Sequence, residues 1–270
     1  MPDLVGRTVL VVGGGCGIER AVEVLAEGGA RVLLHVDGDE ERRTAAVLAA
    51  SLTGVVVLDA PARTLADALE VVDVIVADHG PVSLLLGVVP PRTSPALLDA
   101  DEAEWAVGLA SCLKRSVGIT RAVARHAVAD GTSLRVVTFS SSSTFHSRGA
   151  LQSSLNAAML SLAGAAATTL APHGIPVNCV VLGAPGGEQG GVPAPDVDGA
   201  EVLASTIAHL AVDADPAFTG RYVYCGGRDV GLYSVPLIIE STHVLVRLPD
   251  EADAATVGAA LTPLVDVGRA

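Results

Sequence analysis

Short apolar runs alternate with longer stretches of helical periodicity along most of this chain. Thr8–Val12, Arg31–Val36, Gly54–Leu58, Val74–Ala77, Leu134–Phe139, Val177–Leu182 and Arg221–Tyr224 are brief, rich in Val and Leu, and mostly unbroken by polar positions. Such runs suit parallel strands buried on both faces. Helical patterns fall between them, near Gly17–Glu27, Glu40–Ser51, Leu65–Glu70, Asp101–Ala129, Ala150–Ala171 and Ala200–Val212. This alternation predicts an α/β fold, a doubly wound parallel sheet with helices on both sides. The pattern changes twice. Ala184–Gly199, APGGEQGGVPAPDVDG, is dense in Gly and Pro and reads as a loop. Beyond Gly227 a tail carries one strand pattern, Val244–Leu248, and one helix pattern, Asp250–Leu261. We therefore expect one domain over residues 1–235, with a short C-terminal extension, 236–270, packing on it or on a neighbouring subunit.

Composition narrows the function classes. The 270 residues are 50% hydrophobic and 17% charged, which excludes a disordered chain. A net charge of −13 with no basic run argues against nucleic-acid binding, which needs clustered cations. No apolar run reaches the roughly 20 residues of a membrane span, so no membrane role is expected. The first residues lack the basic start and small-residue cleavage site of a signal peptide. Cys16, Cys112, Cys179 and Cys225 are scattered without a CxxC pair, which fits a reduced, cytoplasmic protein. No histidine falls in a metal-ligand spacing, and no metal is expected.

The segment VLVVGGGCGIERAVEVLAEGGARVLLHVD reads as strand, glycine turn, helix, strand. A glycine turn there lets backbone N–H groups approach a pyrophosphate at a helix N-terminus. The strand–turn–helix context gives the motif its weight. Gly13 and Gly17 stand where such a turn needs them. Asp37 ends the second strand, where a carboxylate can accept from an adenosine ribose hydroxyl. It can equally cap the next helix from within the acidic turn Asp37–Glu41.

Here the chain resembles the short-chain dehydrogenase/reductase family over roughly residues 4–235. The resemblance rests on GGGCGIERA, Asp59 after the third strand, Trp105 in the long fourth helix, FSSS after the fifth strand, LAPHGIPVNCVVLG and FTGRYVYCGG. It implies a Rossmann fold, an NAD cofactor held near Gly13, Gly17, Asp37 and Asp59, and hydride chemistry on a hydroxyl/carbonyl pair. It also implies a catalytic tyrosine with a lysine four residues on, a serine and an asparagine. At those positions stand Gln152, Asn156, Ser141 and Cys112. No tyrosine precedes Tyr222, and the only lysine is Lys114, so no Tyr in the chain has a Lys four residues later. A glutamine amide has no proton that titrates near neutrality, and an asparagine has no charge to depress a neighbour's pKa. Glu19 replaces the third glycine of the turn, and its carboxylate opposes a bound diphosphate. The family's Asn-Asn-Ala-Gly matches Ala77, Asp78, His79 and Gly80, and its Pro-Gly after the sixth strand survives only as Gly183.

These departures lead us to expect no NAD, or NAD held weakly. The expected role is a catalytically silent subunit beside an active NAD-dependent relative in a hetero-oligomeric dehydrogenase, a heterotetramer by analogy with the family. Helices 101–129 and 150–171 resemble the family's four-helix interface, through which self-association is the other option; the second is packed with alanines. Two alternatives stay open. The old cleft can host non-redox chemistry (elimination, cyclisation or isomerisation) carried by Ser141, Cys112 or His146, with His79 nearby, although Cys112 also reads as a small buried filler. Or the chain is an unusual oxidoreductase whose proton comes from water or Ser141.

Overall fold

A computed structural model describes residues 4–14, 17–88, 96–145, 149–183, 197–212 and 215–233. The chain divides into two compact units, Met1–Tyr233 and Ser234–Ala270. The second unit, with the tail patterns Val244–Leu248 and Asp250–Leu261, lies outside the described residues. So do Cys16, His146 and most of the Gly/Pro-rich loop.

One eight-stranded sheet runs through the first unit in the order β3-β2-β1-β4-β5-β6-β7-β8. Its strands are β1 (Thr8–Val12), β2 (Arg31–Val36), β3 (Val55–Asp59), β4 (Val82–Gly87), β5 (Arg135–Ser141), β6 (Val177–Leu182), β7 (Tyr222–Gly226) and β8 (Asp229–Leu232). The first seven are parallel, and β8 turns back antiparallel on β7. The helices are α1 (Glu19–Glu27), α2 (Asp39–Ser51), α3 (Leu65–His79), α4 (Glu102–Gly108), α5 (Arg115–Asp130), α6 (Ala150–Leu170) and α7 (Val197–Val212). A π-helical turn, Leu109–Lys114, joins α4 to α5.

The unbroken apolar strands follow from two cores, one on each face. Val9 and Val11 of β1 pack with α1, α2 and α7, whereas Leu10 and Val12 pack with α3, α5 and α6. Successive side chains alternate between faces, so a strand covered on both sides is apolar at every position.

Two expectations are corrected. Val74–Ala77 is not a strand but the last part of α3. Thr64 and Asp67 form a reciprocal capping box at its start, and Ala68, Val72 and Ile75 form its buried face at helical spacing. The fourth strand is Val82–Gly87, just after Pro81. Ala77–Gly80 therefore close a helix, and the position after the fourth strand belongs to Val88 and the residues beyond it. The second correction is β8, which the sequence pattern did not suggest and whose four residues are all exposed.

Among the described residues one helix is long and apolar enough to cross a membrane by length and composition, Ala150–His173, with mean hydropathy 1.3. It packs on β5 and β6, so its apolar character has a place in the sheet's own core.

Candidate functional site

In an open parallel sheet the ligand crevice lies beyond the C-terminal strand ends, where the strand order reverses. Here that point falls between β1 and β4. Gly13 follows β1 and Val88 follows β4. The Val88 N–H donates to the Val12 carbonyl at 2.9 Å, and the Gly13 N–H donates to the His35 carbonyl at 3.1 Å. Gly13 adopts φ +87°. A Cβ there would stand 2.5 Å from the Val88 carbonyl oxygen and 3.3 Å from Arg115 Nη2. The closeness of the two strand ends therefore demands glycine at this position whether or not a ligand binds.

That second contact brings Arg115 to the strand ends. Arg115 opens α5 on its buried stripe, with Cys112, Ser116 and Ile119, and is 1% exposed. Its guanidinium reaches across the ends of β4 and β1 to Glu41 in the first turn of α2. Nη1 and Nη2 donate to Glu41 Oε2 and Oε1, both at 2.8 Å. Glu41 Oε2 also accepts from the Asp37 backbone N–H at 2.9 Å. Arg115 Nε finds no partner among the described residues. Burial pulls the Arg115 pKa down, but the Glu41 carboxylate more than offsets this and the net shift is upward.

Two further arginine forks hold the carboxylates at the neighbouring strand ends. Arg63, in the segment between β3 and α3, donates to both oxygens of Asp37 at 2.8 and 3.0 Å. Arg42 of α2 does the same to Asp59, at 2.8 and 3.0 Å. Asp37 thus neither caps α2, whose N-cap Gly38 has no side-chain hydrogen bond, nor presents a free acceptor. The hydrogen bonds from Arg42 hold the Asp59 carboxyl below its usual range. Behind Arg115, His35 is fully buried, and neither ring nitrogen makes a hydrogen bond of good geometry among the described residues. Burial, with Arg115 adding to it, pushes its pKa down to about 4, so the ring is neutral at physiological pH. Between α1, β2 and α2 lies a cavity of about 20 Å³, bordered by Gly13, Gly14, Glu19, Leu34 and Glu41. That is room for about one water.

The second cluster lies at the end of β5 and the start of α6. Gln152 and Asn156 are both buried, one turn apart, and Gln152 Nε2 donates to Asn156 Oδ1 at 3.1 Å. Asn156 Nδ2 has no partner among the described residues. Ser140 Oγ donates to the Asn156 carbonyl at 2.9 Å, and the hydroxyl of Thr144 donates to the Ser141 carbonyl. Cys112, on the π-helical turn, is 1% exposed among Leu151, Leu155 and Met159. Its sulfur lies 3.8 Å from Ser111 Oγ. That apolar environment favours the buried-filler reading of Cys112. His79 is also removed from the site. Its carbonyl accepts from the hydroxyl of Thr8 at the start of β1, which is the opposite end of the sheet. At the end of β6 the Tyr224 ring lies directly against Gly183 and Gly226, and its T-shaped partner is Tyr233.

Sequence reading located Gly13, Asp37, Asp59, Ser141, Gln152 and Asn156 at the strand and helix ends that border these two clusters. It missed Arg115, Arg63, Arg42 and Glu41. A signal for Arg115 was available: an arginine three positions after Cys112 and four before Ile119 falls on the helix's apolar stripe, where an unpaired charge is untenable.

No curated protein matches the chain by sequence. Solved structures match by fold. A short chain dehydrogenase from Mycobacterium avium superposes with TM-score 0.75 at 19% identity, covering 100% of this chain and 97% of that one. A short-chain type dehydrogenase/reductase from Mycobacterium marinum gives 0.69 at 22%, covering 83% and 95%. A 3-ketoacyl-(acyl-carrier-protein) reductase from Brucella melitensis, solved with NADH, gives 0.68 at 18%, covering 83% and 99%. The sequence also matches the short chain dehydrogenase family description over residues 7–187. On that match, which spans more than half of its length, the chain belongs to the short-chain dehydrogenase family.

Proposed function

We propose that this chain is a catalytically silent member of its oxidoreductase family. In this reading it supports an active, NAD-dependent relative in a mixed oligomer acting on a hydroxyl/carbonyl or hydroxyacyl substrate. The observation that carries the reading is the Gln152–Asn156 pair. The two residues at the proton-transfer positions are neutral amides whose side chains bond each other, so neither donates a titratable proton nor supplies a cation. The fold is kept while the chemistry is lost. The exposed side of α6, Ser154, Ser161, Ala165 and Thr168, is a smooth, small-residue surface that lets another helix approach closely. Localisation in the cytoplasm is part of the same reading.

The test is turnover and assembly together. The purified chain is expected to show no NADH- or NADPH-dependent reduction across a panel of ketones and 3-ketoacyl thioesters. Co-expressed with a relative that retains Tyr and Lys at these positions, it should co-purify in a complex of defined mass whose activity exceeds that of the relative alone. A stable homo-oligomer of this chain that reduces a carbonyl substrate would overturn the proposal.

A further inference from the structure

We infer that the chain is its own crevice ligand: the Arg115–Glu41 ion pair stands where the family's dinucleotide would lie and excludes it. This deepens the silent-subunit reading and rests on its premise that the β1/β4 crevice is the old cofactor site. Three requirements of a dinucleotide can be set against the geometry. The diphosphate needs open space over the glycine turn, between the ends of β1 and β4. Arg115 Nη2 lies 3.3 Å from where a Gly13 Cβ would stand, and Arg115 is itself 1% exposed. The ribose needs a free carboxylate at the end of β2. Both oxygens of Asp37 are bound by Arg63, and its side chain is 8% exposed. The diphosphate also needs an electropositive helix start. α1 presents the carboxylate of Glu19 in its first turn.

Entry of a dinucleotide would require Arg115 to leave Glu41. That breaks two charge-assisted hydrogen bonds between groups 1% and 10% exposed. A diphosphate could in principle recapture the guanidinium, but Glu41 already binds its two terminal nitrogens from a covalently fixed position, so the ligand competes against an intramolecular carboxylate. The pair thus replaces the bound cofactor in holding α2, α5 and the β1/β4 ends together. It explains why a carboxylate at position 19 does no harm.

The experiment titrates NADH and NADPH, by fluorescence and calorimetry, into the wild-type chain and the Arg115→Ala/Glu41→Ala variant. If that variant does not fold, Arg115→Ala with Glu41→Gln replaces it, because the glutamine oxygen still accepts from the Asp37 N–H. Wild type is expected to show no saturable binding up to about 1 mM. The opened variant is expected to bind at least about tenfold more tightly while remaining unable to reduce carbonyls. Micromolar binding by the wild type overturns the inference. So does a folded variant that gains nothing, since the pair would then not be what excludes the ligand. Carbonyl turnover is followed in the same samples. Wild-type binding without turnover sinks the plug and leaves the silent-subunit reading standing; wild-type turnover sinks both.

Discussion

Replacing Glu41 by glutamine isolates the energetics of the crevice. The change keeps size and one acceptor but removes the charge facing a guanidinium that is 1% exposed. One of two 2.8 Å hydrogen bonds then meets an amide N–H instead of an oxygen. Removing one partner of a buried ion pair typically costs about 3–5 kcal/mol, because the remaining charge is stranded. Glu41 is 10% exposed, so water reaches one side of the pair, and a loss near the lower bound, about 3 kcal/mol, is expected. Against a total stability of about 5–15 kcal/mol that is a large fraction. Arg115→Met should cost less, since the carboxylate left behind sits at the rim and can hydrate. Arg115→Met with Glu41→Leu, which removes both charges and keeps the volume, should return to within about 1 kcal/mol of wild type. The assay is urea unfolding followed by circular dichroism, with the slope unchanged and the midpoint moved by roughly 1 M for Glu41→Gln. The reasoning is refuted if that variant unfolds within about 1 kcal/mol of wild type, or if the double variant loses as much as the two singles summed, because a coupled pair cannot be additive.

Three further outcomes follow from the same geometry. His35 has a folded pKa of about 4 against an ordinary 6.5, so the unfolded chain binds the extra proton; its contribution is intact above pH 6.5 and lost as pH falls towards 4, about 3 kcal/mol in all, and His35→Leu should flatten that part of a stability–pH curve. Gln152→Tyr with Asn156→Lys should restore the residue pair without restoring carbonyl reduction, because the crevice stays filled; measurable NADH oxidation by that variant alone would contradict this. Gly118→Ala puts a Cβ 2.7 Å from the Ala68 Cβ where α5 crosses α3, so a loss of about 1–3 kcal/mol in thermal or urea unfolding is expected, whereas an unchanged midpoint would mean the helices part freely.

The sequence pattern is legible where one physical cause dominates. β1, β2 and β6 coincide residue for residue with apolar runs, because each is central in the sheet and buried on both faces. Val74–Ala77 misleads because four consecutive apolar residues suit a strand and a buried helix turn equally. What decides is the capping box ten residues upstream, at Thr64 and Asp67, together with the Asp73 and Asp78 that interrupt the run. β8 carries no burial signal to read, since all four of its residues are exposed. That no Tyr in the chain has a Lys four residues later was legible by residue identity alone. The filling of the crevice was not, because it joins residues 74 positions apart through a side chain whose direction depends on how α5 crosses the sheet.

The arginine forks clarify what the fold has kept. Asp37 and Asp59 place carboxylates at the ends of the neighbouring strands β2 and β3, with Glu41 in the first turn of α2 beside them. This chain carries a net charge of −13 with only 17 Lys and Arg, so cations are scarce. Three of them, Arg42, Arg63 and Arg115, are nonetheless committed to this one rim, each with both hydrogen bonds of its fork directed at a carboxylate. Exposed pairs contribute little to stability; the Arg42–Asp59 fork is exposed on both sides, and in the Arg63–Asp37 fork the arginine is exposed while the carboxylate is buried. Their consequence is electrostatic: they cancel the charge that would otherwise repel across the strand ends. Arg115–Glu41 differs because it is buried, and a buried pair fixes geometry more than it adds stability. Together they describe a crevice that is closed and neutralised without a nucleotide. In the silent-subunit role proposed above, these forks keep the strand ends ordered without a nucleotide.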